Sequence, residues 1–375
     1  MNDKEKCCER RKTSIGGQAL MEGIMMRGPE KNAMAVRRAN GEIFFEENLN
    51  QKKKRPRICR WPVIRGVFGF VDSMVIGYKA LMRSAEIAIE DEMAEEKGKN
   101  AEMAVCDEQK EPVSAEPVAK EGTEPAAEEN GTQKEKKDVL GKGAIAAITV
   151  IATVLGFALA IGLFIWLPSF LYNLIADHTP WSWDLDDNRY LRSVFEGILK
   201  IIVLVIYMAL VSLMKDIRRT FMYHGAEHKT IFCYEKGLPL TVENVKNQSR
   251  FHPRCGTSFL ILMLLVSIVI GMLIPPTFEG IDPTLYTFIR AGIKLLLIPL
   301  TMGIGYELLK FAGKHENIVT RIISAPGMWL QRITVKEPTD DMIECAVKAF
   351  VAVLPEEEKE AEIAAANGDT QNNEV

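Results

Sequence analysis

Four apolar stretches decide what this chain can become. Residues 143–167, 194–214, 258–274 and 288–309 approach or exceed the roughly 20 apolar residues a helix needs to cross a bilayer. The expected class is an α-helical polytopic membrane protein with about four transmembrane helices plus a small cytoplasmic α+β module. The net charge of −4 conceals strong segregation into one long acidic block and several basic clusters. That near balance gives no global sign of a nucleic-acid partner.

The charges flanking the apolar runs set an orientation. After the first run, Asp177, Asp184, Asp186 and Asp187 outnumber Arg189 and Arg192. After the second come Lys215, Arg218, Arg219, Lys229, Lys236, Lys246, Arg250 and Arg254, whereas residues 275–287 carry no Lys or Arg. Lys310, Lys314 and Arg321 follow the fourth. The N- and C-termini and the 215–257 loop are therefore expected in the cytoplasm, with His178 on the opposite side. The charged N-terminus has no apolar core, so no cleavable signal peptide is expected. Seven cysteines without framework spacing argue against a disulfide scaffold.

Between these landmarks the chain divides readily. Residues 1–62 read as a cytoplasmic β-hairpin module, with strands at 33–38 and 42–46 around Asn40-Gly41. Gly16-Gly17 does not extend to a dinucleotide fingerprint, and Glu22 is the one acid in an apolar run, which makes it a candidate site residue. Residues 63–89 read as an amphipathic or interfacial helix, preceded by the basic run 52–57 and Trp61. Basic residues beside Trp and an apolar helix suit an anionic membrane surface better than nucleic acid. Whether that helix enters the bilayer stays open, because Arg65, Asp72 and Lys79 interrupt it. Residues 90–138 are Glu, Ala, Lys and Pro and are predicted to be a disordered linker, with Cys106 incidental. Residues 139–214 carry the first two spans, 215–257 a His/Cys loop, 258–310 the last two spans and 311–354 cytoplasmic helices. In the last of these, Thr339 caps a helix with an apolar face of Ile343, Ala346, Val347, Phe350 and Leu354. An acidic tail at 355–375 is predicted to be disordered.

Chemistry concentrates in the 215–257 loop, which holds three of the five histidines. His224, Glu227 and His228 follow H-x-x-E-H, the reversed zinc-protease pattern, and share one side of a helix. An unbroken helix through this region would be about twice as long as a bilayer is thick, so a break near Gly225 is expected. Glu235 falls on the same helical side and is a possible further ligand. His252-Pro-Arg-Cys255-Gly has the form of a zinc knuckle with His in place of the first Cys. The expected site is a divalent metal, zinc by ligand type, bound by His224, His228, His252 and Cys255, with Glu227 as general base. Three readings remain open: an open catalytic site, a closed structural site of four ligands, and interfacial polar residues with no metal. Glu227 can equally orient a ligand histidine. Cys233 reads as packing, and His315 as a weak candidate at a helix end.

Three segments, GGQALMEGIMMRG at 16–28, HGAEH at 224–228 and HPRCGTS at 252–258, resemble the YqhQ-like family of bacterial membrane proteins. That family carries a domain of unknown function and is sometimes labelled a predicted metal-dependent enzyme. The resemblance spans residues 15–354 apart from the acidic linker. It implies a multi-pass protein of the bacterial cell (inner) membrane with a candidate metal centre, and it supplies no substrate. The functional expectation is a metal-dependent integral membrane enzyme, hydrolytic, working at the cytoplasmic face on a membrane-associated peptide or lipid-linked substrate. The rival is a non-catalytic membrane scaffold with a structural zinc. Transport ranks third, because Glu196 and Glu307 lie towards span ends and Lys200 can pair with Glu196.

Overall fold

A computed structural model describes residues 13–50, 56–108, 142–178, 189–275, 280–315, 317–360 and 362. The Gly- and Met-rich N-terminal stretch forms β1 (Gly16–Leu20) and β2 (Gly23–Arg27), followed by β3 (Lys31–Arg37) and β4 (Ile43–Leu49). Each strand pairs antiparallel with the next in the order β1-β2-β3-β4, so the hairpin at Asn40-Gly41 is the second half of a four-stranded meander. Alternation places Ile24, Met26, Ala33 and Ala35 on one face and Leu20, Met25, Met34 and Val36 on the other. Both faces are apolar, so both must be covered.

One cover is α1 (Ile64–Glu108), which lays Ile87, Ile76 and Ala80 on the second face. This helix runs past residue 89 to Glu108, so the first part of the segment predicted to be disordered is helical; the rest of it, 109–138, lies outside the described residues. Its start is pinned to a later helix, α9 (Ile298–Lys314). Arg65 makes a two-pronged ion pair with Glu307, at 2.6 Å through Nε, and Val63 there adopts a left-handed φ of 69°. A β-branched residue in that region is strained and needs its surroundings to hold it.

The apolar runs form α2 (Lys142–Ile161), a π-helical turn at Gly162–Trp166, α3 (Leu167–His178), α4 (Arg189–Val211), α7 (Gly256–Gly271), α8 (Pro283–Leu296) and α9 (Ile298–Lys314), with α5 and α6 between α4 and α7. Among the described residues two stretches, Val150–Ile175 and Tyr190–Val211, are long and apolar enough to cross a membrane. A third is reached if α8 and α9, bent by 43° at Leu297, make one crossing. The count of four spans is thus reduced to two or three by length and composition. The third apolar run gives a helix of only 16 residues. The fourth is interrupted because Pro299 stands in the first turn of α9, lacking an N–H and crowding the preceding turn.

The break expected near Gly225 lies elsewhere. α5 (Lys215–Glu235) is continuous, and the chain turns at residues 212–214, where Met214 is extended (φ −68°, ψ 133°). Leu213 and Met214 donate to carbonyls only three residues back, and Ser212 Oγ bonds Ala209 O, so the last turn of α4 tightens and stops. α5 leads to α6 (Val242–Lys246), capped by Thr241 Oγ1 accepting from Asn244 N at 3.3 Å. After α9 come α10 (Ile318–Thr334), entered through an Asn317/Thr320 capping box, and α11 (Asp340–Ala352).

One core joins the first face of the sheet to α5, α6 and α11 through Ile24, Met26, Tyr223, Ile231, Val245, Met342, Ile343, Ala346, Phe350 and Leu354. The apolar face predicted for the last helix is the one that packs there, although Thr339 makes no side-chain capping bond. Residues 356–360 continue as a helical turn where disorder was predicted, and Glu356 pairs with Lys31 at 2.6 Å. The remainder of the tail, except Glu362, lies outside the described residues, as does most of the basic run 52–57.

Candidate metal centre

Because α5 is unbroken, His224 and His228 lie one turn apart, their rings 4.4 Å between centroids. Cys255 reaches them from the start of α7, where it serves as N-cap, its Sγ accepting from Thr257 N at 3.4 Å. His224 Nε2 stands 3.1 Å from Cys255 Sγ, and one ligand atom from each of His224, His228 and Cys255 lies within 4.8 Å of the other two.

The outer ring nitrogens explain why the inner ones are available. His224 Nδ1 lies 3.1 Å from Thr334 O, and His228 Nδ1 lies 2.5 Å from Arg250 O. A carbonyl only accepts, so each Nδ1 carries the proton and each Nε2 keeps its lone pair for the centre. His228 Nε2 is buried with no hydrogen-bond partner. Burial holds this imidazole below its ordinary pKa against the opposing pull of Cys255, which favours the neutral, metal-binding form. Tetrahedral zinc with bonds of 2.0–2.3 Å sets its ligands roughly 3.3–3.6 Å apart, a spacing these atoms approach with small side-chain movement. Two imidazoles and a thiol fit zinc by type as well as by spacing.

Glu227 shares the turn but points to the sheet. Its Oε1 accepts from Gly17 N on β1 at 2.9 Å. Burial raises its carboxyl above the ordinary range, and the nearby His224 and the Gly17 N–H only partly offset that. A carboxyl so raised beside a candidate metal ligand is a candidate acid–base group.

His252 is buried next to this group without belonging to the three, its ring 5.6 Å from that of His228. Its Nε2 faces Glu235 Oε2 at 3.8 Å and has no hydrogen-bond partner, while its Nδ1 accepts from Arg254 N at 3.3 Å. Glu235 is engaged away from the thiol. It pairs with Arg254 and accepts from Thr13 N at 3.2 Å. Glu22 forms a two-pronged pair with Arg219 at the sheet turn, His315 is exposed at the end of α9, and Cys233 lies in the core beside Pro239 O at 3.4 Å. None of these three falls in the His224–His228–Cys255 group. His178, at the end of α3, bonds its own helix through Leu174 O at 3.0 Å.

Sequence reasoning missed the supports. Gln331 of α10 is fully buried and clamps the backbone of His252 by two bonds, His252 N to Oε1 at 2.9 Å and Nε2 to His252 O at 2.8 Å. Thr334 O and Arg250 O are backbone groups and leave no residue-type signal. Gln331 does leave one, as an amide among the helices expected at 311–354.

Residues 61–356 match the family described as "Protein of unknown function (DUF1385)". The chain belongs to the DUF1385 family. That match takes in every apolar helix and both halves of the His/Cys group. The "Uncharacterized protein YqhQ" of Bacillus subtilis (strain 168) is similar, at 32% identity over 343 residues, covering 91% of this chain and 92% of that protein. The resemblance carried by the three motifs is therefore to the right family. No solved structure matches the chain.

Proposed function

We infer that this DUF1385 protein is a metal-dependent hydrolase of the bacterial inner membrane, its His224–His228–Cys255 centre holding one zinc ion at the cytoplasmic face. The observation that carries the reading is the pair of histidines whose Nδ1 protons are tied to backbone carbonyls while Nε2 turns towards a thiol, one Nε2 being buried without a partner. Three protein ligands leave one tetrahedral position for a reactant. A bound zinc supplies Lewis acidity, which acidifies water and polarises a carbonyl or phosphoryl oxygen. Glu227, anchored by Gly17 N, is the group that takes and returns the proton. The centre adjoins the start of an apolar helix, which suits a membrane-associated peptide or lipid-linked substrate.

A second reading has one observation in its favour. His252 Nε2 is also buried and unpartnered, and a ring rotation towards His228 would complete a closed four-ligand zinc site in a non-catalytic membrane scaffold. Metal content of the detergent-purified protein comes first. About one zinc per chain, lost in His224→Ala, is expected; folded protein that takes up no zinc when supplied with it defeats both readings. Glu227→Gln then separates them. The hydrolase loses turnover with metal retained, whereas the scaffold is unaffected.

A further inference from the structure

The apolar helices hold a second charged cluster. Arg192, Glu196 and Lys200 recur every four residues on α4 and share a face, as do Arg290 and Lys294 on α8. Glu196, 2% exposed, is the hub. It accepts from Arg192 Nε at 3.2 Å, from Lys294 Nζ and from Ser169 Oγ at 3.3 Å, and it faces Arg290 Nη2 at 3.7 Å. Lys200 lies close enough to feel the same carboxylate. One anion thus answers four cations, an excess of three positive charges when all are ionised.

Neutral groups take up only part of it: Arg192 Nη2 donates to Asn173 Oδ1 at 3.2 Å and its guanidinium lies 4.7 Å from the centre of the Tyr172 ring. Arg290 is 1% exposed, and its Nη1 reaches Pro275 O at 3.3 Å and Tyr286 Oη at 3.2 Å. Its Nε and Nη2 have no hydrogen-bond partner. A guanidinium cannot shed its proton, and among the described residues Arg290 shares its one facing carboxylate, Glu196, with three other cations, so further negative charge would be accommodated here.

Beside the cluster is a cavity of about 270 Å³. Lys200 and Lys294 stand in its wall, while Phe164, Met263, Leu264 and Leu297 make much of the rest. Two ammonium groups in an apolar chamber complement a molecule with an acidic head and a hydrocarbon chain.

We propose that this cavity binds a lipid with a phosphomonoester headgroup, Lys200 and Lys294 receiving the phosphate and the apolar wall receiving the chain. A phosphomonoester carries about −1.5 to −2 at neutral pH, closer to the surplus than a carboxylate or a phosphodiester. A zwitterionic head would add a cation where cations already abound. The site is separate from the metal centre. Cys255 caps one end of α7, and the wall residues on that helix run from Met263, about 12 Å along the axis, to Gly271, about 24 Å along it. It does not depend on the hydrolase reading.

The test uses the full chain in nanodiscs or mild detergent, with dioleoyl phosphatidic acid, dioleoyl phosphatidylcholine, oleate and inorganic phosphate as probes, read by native mass spectrometry and thermal denaturation. Phosphatidic acid should bind at least tenfold more tightly than phosphatidylcholine or oleate and raise the melting temperature; millimolar inorganic phosphate should not reproduce the shift. Lys200→Met combined with Lys294→Met should weaken phosphatidic acid at least tenfold. Should that variant fail to fold, Ser267→Phe decides, since it fills the cavity and leaves every charge in place. Equal binding of the choline lipid, an equal effect of oleate or free phosphate, or undiminished binding by Ser267→Phe would each overturn the proposal.

Discussion

Replacing Gly225 with alanine sets two effects of opposite sign against each other. Helix propensity alone favours alanine over glycine by about 1 kcal/mol in a helix interior. In this fold a Cβ at position 225 would stand 2.0 Å from Lys336 O and 3.3 Å from Pro338 Cδ. Non-bonded heavy atoms prefer roughly 3.5 Å, so residues 335–338 must withdraw by ~1.5 Å. That breaks the 2.9 Å bond from Lys336 N to Phe221 O, worth about 1 kcal/mol net. Overpacking of this kind adds about 1–3 kcal/mol, leaving the variant about 1–3 kcal/mol less stable after the propensity gain. The withdrawal also disturbs Thr334, whose carbonyl fixes His224 Nδ1, and loss of such an outer support typically weakens metal binding 10–100-fold. Thermal denaturation in detergent, with and without zinc, and competition against a zinc chelator would read both effects. A variant as stable as its parent or more so, with unchanged zinc affinity, would refute the packing of 335–338 on α5 and the reasoning built on it.

Two further substitutions probe the module. Phe350→Ala empties a fully buried site next to Tyr234, whose ring lies 5.1 Å away, and should destabilise by about 3–5 kcal/mol. An unshifted melting curve would show that α11 does not share the core of the sheet. Glu235 gives a pH signature: burial raises its carboxyl, but the facing His252 ring, the Arg254 guanidinium and the Thr13 N–H together outweigh burial and hold it below its ordinary 4.5. A group lowered on folding stabilises above its unfolded pKa and loses that contribution as pH falls through the folded value. Melting temperatures measured with chelator should therefore fall below about pH 4.5 in the parent and less steeply in Glu235→Gln; parallel curves would contradict this.

The apolar runs announce helices because composition alone drives them there. They do not announce a number of crossings, which depends on a proline at 299 and on a third run that yields only 16 helical residues. Gly225 shows why local signals mislead. It looks like a helix breaker, yet its hydrogen atom in place of a Cβ serves an approach by a segment more than a hundred residues later. The His/Cys group was legible as residue types at suggestive spacing, since His224 and His228 belong to one turn and Cys255 opens the next long helix. The direction of Glu227 was not legible. Successive helical residues differ by 100°, so Glu227 falls to one side of His224 and His228 to the other, and only the presence of β1 turns that into a bond. The second face of the sheet and its α1 cover escaped notice because Met and Ala carry little strand preference.

The contacts that build the His224–His228–Cys255 group are far apart along the chain, and translation meets them in a fixed order. His224 and Thr334 are separated by 110 residues, and Gly17 waits 210 residues for Glu227. At 5–20 residues per second the N-terminal strand spends roughly 10–40 s without its partner, and the histidine pair waits several seconds more for α10. Meanwhile a sheet with two apolar faces must be kept from other sheets. Closure of the module thus has a natural clock, in which α10 and α11 come last, and ribosome pausing before residue 334 would prolong the interval in which the sheet faces stay uncovered.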